Sequence, residues 1–139
     1  LLVPIGTDFK TLIDACGGLR EDIDIARIIA GGPMMGFAIT DLDTPVTKGT
    51  SGITVLTAES IRREQATACV RCGMCVDVCP LDLVPTKLAL AARHQNVELL
   101  NRYHIDACME CGCCAYQCPA GIPLVQLIRS GKILKRNRK

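Results

Sequence analysis

The chain has 139 residues, 10 of them cysteine, a formal net charge of +2 and 49% hydrophobic residues. That hydrophobic share can bury a core, which excludes intrinsic disorder, and no apolar run approaches the roughly 20 residues of a membrane-spanning helix. Two Phe, two Tyr, no Trp and so small a charge also exclude a nucleic-acid-binding surface. The start at Leu1-Leu2-Val3-Pro4, without initiator Met or secretory signal, reads as that of a piece excised from a longer protein.

In chain order, Thr7 or Asp8 is placed to cap a short helix through Leu12 and Ile13 that Gly17-Gly18 stops. Ile25 to Ala30 is apolar and rich in β-branched residues, a strand ended by Gly31-Gly32-Pro33. Ile53 to Leu56 reads as a second strand. Glu59 to Thr67 is polar and compatible with a helix. Pro85 suits a first helical turn, and Lys87 to Arg93 continues it with strong helix formers. Val97 to Tyr103 forms another short helix, and Pro123 opens a third with Leu124, Leu127 and Ile128 at helical spacing, stopped by Gly131. No strand is expected after Leu56. Composition changes near Thr57, so the expected domains are residues 1–57, a small α+β unit, and residues 58–139, helical and cysteine-rich.

Nine of the ten cysteines lie between positions 69 and 118. They form two blocks: Cys69, Cys72, Cys75, Cys79 followed by Pro80, and Cys108, Cys111, Cys114, Cys118 followed by Pro119. Both are C-x2-C-x2-C-x3-C-P with Gly after the second cysteine, the bacterial two-cluster iron–sulfur pattern. Three thiolates three residues apart can curl around three irons of one cubane, and Gly73 and Gly112 let backbone N–H groups approach the sulfurs. The fourth cysteine leaves along a helix and the proline turns the chain away. That thiolate points out of its own loop and ligates the partner cluster. Cys69, Cys72, Cys75 and Cys118 are therefore expected to bind one [4Fe–4S] cluster, and Cys108, Cys111, Cys114 and Cys79 the other. Neither half should fold around its cluster alone.

Competing readings are weak. Structural zinc uses paired C-x2-C hooks rather than this duplicated run, and cysteines packed so closely in sequence have poor geometry for bridging one another. Cys113 interrupts the repeat; it reads as a spare packed thiol, with competition against Cys114 for an iron as the alternative. Cys16 reads as a buried small hydrophobe. His94 and His104 are expected at the surface, and Tyr116 packed beside a cluster. Arg71 and Glu110, at matching repeat positions, are expected in solvent, with tuning of the potentials as the alternative. Lys132, Lys135, Arg136, Arg138 and Lys139 read as a solvated basic tail, with a membrane or acidic partner as the alternative. Met34 and Met35 read as core packing. The Gly31 to Gly36 stretch is a tight turn, not a dinucleotide-binding loop, because Pro33 interrupts it and no helix pattern follows.

Ile5-Gly6-Thr7, Gly31-Gly32-Pro33-Met34-Met35-Gly36, Pro45-Val46-Thr47-Lys48-Gly49-Thr50, the two cysteine blocks and Ile122-Pro123-Leu124-Val125-Gln126 follow in order. Together they resemble the RnfC proteins of bacterial Rnf electron-transport complexes over nearly the whole chain. The resemblance implies a β-grasp soluble-ligand-binding (SLBB) domain followed by an α-helical ferredoxin domain, an α+β protein with two [4Fe–4S] clusters. It implies electron transfer in an ion-translocating ferredoxin:NAD oxidoreductase, peripheral on the cytoplasmic side of the bacterial cell membrane. It also implies FMN and NAD(H) on an upstream region, which, with the other members of the Rnf complex, would be the partner. The segment itself would then carry electrons without a substrate-binding catalytic site. Cys113 departs from the commoner small residue there. A cobalamin reductase of bacterial microcompartments, or a docking module with structural clusters, are the alternatives. Eight thiolates and two cubane cores of about +2 each would turn the formal +2 into about −2.

Overall fold

Apolar, largely β-branched residues make Ile25–Ala30 strand β1, and its neighbours pair with both of its edges. The computed structural model describes residues 1–61 and 65–138. Its sheet is three-stranded and antiparallel, ordered β2-β1-β3, with β2 at Phe37–Ile39 and β3 at Ile53–Thr57. Ile29 stands opposite Ala38 on one side and Thr54 on the other. Strand β2 went unread in the sequence because a three-residue strand shows no period.

The turn between β1 and β2 is held by Gly36 N–H donating to the Gly32 carbonyl at 2.9 Å and Gly31 N–H donating to the Gly52 carbonyl at 2.7 Å. Met34 and Met35 lie in that turn and are about half exposed, 51% and 49%, which corrects their expected place in the core. Helix α1 spans Phe9–Ala15. Of the two candidate caps Asp8 acts, accepting from Thr11 N–H at 3.2 Å. One turn apart, Phe9 and Ile13 point inward, and with Ile29 and Val46 they form the core of this unit. Cys16 is exposed rather than buried, because it is the C-cap residue where the chain leaves helical geometry.

The chain divides into two compact units, Leu1–Arg63 and Glu64–Lys139. The division falls after the composition boundary near Thr57, since Ala58 N–H donates to the Asp24 carbonyl at 2.9 Å and ties the following turn to the sheet. That turn, Ala58–Ser60, is a single 3-10 turn. The helix expected over Glu59 to Thr67 is absent from the described part of that stretch; residues 62–64 lie outside the described residues.

The second unit holds α2 (Met74–Asp77), α3 (Pro85–Arg93), α4 (Val97–Arg102), α5 (Cys113–Tyr116) and α6 (Leu124–Asn137). Pro85 occupies the first turn of α3, and Asn96 caps α4 by accepting from Leu99 N–H at 3.0 Å. Each cysteine block thus runs loop, short helix, proline, longer helix. The halves meet through α2 against α5 and α3 against α6. Leu88, Leu100, Ile105 and Ile128 are fully buried between them, while Cys75 and Cys114 join Ala89, Leu124 and Val125 in a second cluster.

Gly131 does not stop the last helix, which runs on to Asn137. Its role is close approach: a Cβ there would sit 2.9 Å from Ala92 Cβ and 3.0 Å from Ile105 Cδ1. Of the basic residues after it, Lys132 and Lys135 are half-buried rather than a solvated tail, while Arg136 and Arg138 are exposed, in line with that reading. Lys132, Lys135 and Arg136 belong to α6, and Lys132 and Lys135 are ion-paired to Glu110 and Asp106. Lys139 lies outside the described residues.

Candidate metal centre

The two cysteine loops repeat the same backbone. Arg71 and Glu110, just before the second cysteine of each block, hold left-handed conformations at φ 57° and 60°, and Gly73 and Gly112, just after it, at φ 84° and 90°. Glycine adopts that region freely, whereas an arginine or glutamate there costs about 1 kcal/mol or more. The loop thus reverses twice around its second cysteine before entering α2 or α5. The spacing of the cysteines calls for this winding, and the glycine makes it accessible.

The two windings bring the cysteines into two sets. One cavity of about 710 Å³ is lined by Cys69, Cys72 and Cys75 of the first block and Cys118 of the second. The other, far tighter at about 20 Å³, is lined by Cys108, Cys111 and Cys114 with Cys79 of the first block. Each cavity therefore takes three cysteines from one block and the last cysteine of the other. Among the described residues, no three His, Cys, Asp or Glu side chains converge as ligands of a single ion. They line two cavities instead, four to each, the number of thiolates that a four-iron cube bound by one thiolate per iron requires.

Exposure differs between the sets. In the first set Cys69 and Cys72 are exposed, Cys118 is half-buried and Cys75 is buried, whereas in the second Cys79, Cys108 and Cys111 are half-buried and Cys114 is buried. Burial pushes the Cys114 thiol up to about 12, with repulsion from Cys108 and Cys111 adding to it. Burial also raises Cys75, and Cys118 and Cys72 repel it further. Thiolates so placed disfavour one another unless a cationic core lies between them, because a bound metal inverts the local charge balance. The donor set therefore fits iron–sulfur clusters, and the larger cavity gives room for one.

Other groups reach the loops. Thr86 N–H, in the first turn of α3, donates to the Cys75 sulfur and opposes the rise of that thiol. Sequence reading missed it; the signal was Pro85 at the first helical position, which leaves the following N–H groups free. Glu110 is not in solvent. Its side chain is 23% exposed and accepts from Arg129 Nε at 2.9 Å and Lys132 Nζ at 2.7 Å. Burial works against its charge, but the hydrogen bonds from Lys132 and Arg129 prevail and hold it below the ordinary carboxylate range. Arg129 and Lys132, three apart on one face of α6, were the signal.

Arg71, His94 and His104 are exposed, in line with their solvated readings. Tyr116 is 80% exposed, which corrects its expected packing beside a cluster: α5 turns its face with Cys114 inward. Cys113 is half-buried and hydrogen-bonded to Cys111, and that bond, before burial, raises its thiol.

Comparison with known proteins identifies the class. Residues 64–122 match the 4Fe-4S dicluster domain and residues 1–38 the SLBB domain, making this an α+β iron–sulfur protein. The chain is 42% identical over its whole length to the C subunit of the ion-translocating oxidoreductase complex of Methanosarcina acetivorans, covering 31% of it. It is 46% identical over 132 residues, 95% of this chain and 25% of the relative, to the corresponding protein from Rhodobacter capsulatus. Over 90 residues, 65% of this chain and 19% of the relative, it is 48% identical to the C subunit of the proton-translocating ferredoxin:NAD(+) oxidoreductase complex of Clostridium ljungdahlii. The chain belongs to this RnfC family, and it spans less than a third of the length of these relatives.

Proposed function

We propose that the chain is the electron-carrying segment of an RnfC protein in an ion-translocating ferredoxin:NAD oxidoreductase complex. Cys69, Cys72, Cys75 and Cys118 would hold one [4Fe–4S] cluster, and Cys108, Cys111, Cys114 and Cys79 a second. The single observation that carries this reading is the crossed sharing of cysteines between the two cavities. When bound, the clusters supply one-electron redox chemistry within a range of about −700 to +450 mV.

The chain's own residues do the rest. The thiolates bind the iron, Thr86 N–H donates to the Cys75 sulfur, and Leu83, Leu88, Val125 and Ile128 keep water from the second set. Dry surroundings strengthen every charge near a redox centre. Electrons would pass one at a time between FMN and NAD(H) on the upstream region of the full-length protein and another member of the complex. This segment would contribute no substrate-binding catalytic site of its own. Among the described residues no helix is long and apolar enough to cross a membrane; the segment would attach peripherally on the cytoplasmic side. Homology to RnfC proteins of such complexes favours this placement.

The test is anaerobic reconstitution of the full-length protein, followed by iron analysis and electron paramagnetic resonance (EPR) of the reduced sample. Two coupled [4Fe–4S] signals and about eight irons from this segment are expected. A colourless protein carrying zinc would overturn the reading.

A further inference from the structure

The second cysteine loop is fastened to α6 by side chains that have no counterpart in the repeat pattern. Lys132 Nζ donates both to the Cys108 carbonyl at 2.6 Å and to Glu110 Oε1 at 2.7 Å. Arg129 Nε donates to Glu110 Oε2 at 2.9 Å. All three side chains are largely enclosed, with exposures of 20%, 22% and 23% for Arg129, Lys132 and Glu110. At the matching place in the first loop stands Arg71, of opposite charge to Glu110 and exposed. The loops therefore share a backbone but sit in different fields.

We infer that Lys132, with Arg129 and Glu110, positions the second cysteine loop and sets the potential of its cluster apart from that of the first. The inference rests on the assignment of Cys108, Cys111, Cys114 and Cys79 as one ligand set. One-electron reduction makes the bound centre more negative by one charge. A cation held against the loop favours that reduced state, and an anion opposes it. Lys132 and Glu110 both stand against this loop, and their low exposure limits screening of either charge by water. Lys132 also bonds the backbone of a cysteine, so it fixes the loop as well as charging it.

Charge and fastening predict different results. In the full-length protein with both clusters reconstituted, a redox titration followed by EPR reads each potential. Lys132→Met should lower one of the two potentials and leave the other in place. The shift should be on the order of a tenfold change in the reduced-to-oxidised ratio at fixed potential, equivalent to about 59 mV for one electron. Glu110→Gln should move the same potential upward, and Lys132→Arg should hold it near that of the parent. A role in fastening alone would give Lys132→Met and Glu110→Gln the same sign, or no shift, and either result overturns the inference. If Lys132→Met fails to retain the second cluster, Glu110→Gln carries the test by itself, and an unmoved or lowered potential there is a refutation. Parent protein lacking two [4Fe–4S] signals would instead refute the proposed function, so the two failures are distinguishable.

Discussion

Arg71 and Glu110 occupy the same position in two copies of one loop, and both take left-handed backbone, at φ 57° and 60°. One side chain is exposed; the other is enclosed between two cations of α6. The same contrast runs through the two sets of cysteines. Cys69 and Cys72 are open to solvent, while the set containing Cys114 is enclosed by Leu83, Leu88, Val125 and Ile128. A duplicated motif thus preserves what winding requires, namely the cysteine spacing and the glycine. It leaves the surroundings to diverge, and surroundings govern charge stabilisation and access.

The largest effect available tests the crossing on which the comparison depends. Cys118→Ser should leave the same residual EPR spectrum and iron count as Cys72→Ser, with a loss of at least about four irons. Cys79→Ser should pair in the same way with Cys111→Ser. A match between Cys118→Ser and Cys111→Ser would break the crossing.

A smaller effect concerns the packing of the halves against each other. Gly131→Val should destabilise the second unit, toward the upper end of about 1–3 kcal/mol for overpacking, because its Cβ would stand 2.9 Å from Ala92 Cβ and 3.0 Å from Ile105 Cδ1. Thermal unfolding of the reconstituted protein measures it, and an unchanged midpoint would mean that α3 and α6 leave more room at Gly131 than these distances allow.

The smallest effect compares the two loops directly. Arg71→Gly should be neutral within about 1 kcal/mol, since relief of left-handed strain offsets the added freedom of the unfolded chain. Glu110→Gly gains the same relief but leaves two enclosed cations without their carboxylate, a cost of about 1–3 kcal/mol. Equal stabilities for the two variants would erase the contrast between the loops.

Much of this was legible in the residues. Cysteine spacing carried the iron–sulfur class that the 4Fe-4S dicluster match shows, Pro85 and the Lys87 to Arg93 run carried α3, and the β-branched run carried β1. Failures occurred where one residue has two physical uses. Gly131 reads as a helix stop because glycine often ends helices, yet here it admits the Ala92 methyl group. Lys132 and Lys135 read as a solvated tail because they end a chain rich in cations, yet α6 carries them back to Glu110 and Asp106. Average residue preferences place Cys16, Tyr116, Met34 and Met35 inward, whereas cap, helix-face and turn positions turn them outward.

The sequence by itself determined the chemistry: eight cysteines in two spaced blocks, glycines where the loop must reverse, and prolines where it must leave. Those requirements are local, set by bond geometry and by the reach of a thiolate, so they are written in adjacent residues. Only the tertiary structure decided which loop is enclosed and which charges face it. Glu110 meets Arg129 and Lys132 across 19 and 22 positions of sequence, and contacts at that distance arise from the packing of α6 against α5 and the Ile105–Ala107 turn, the elements that flank Glu110.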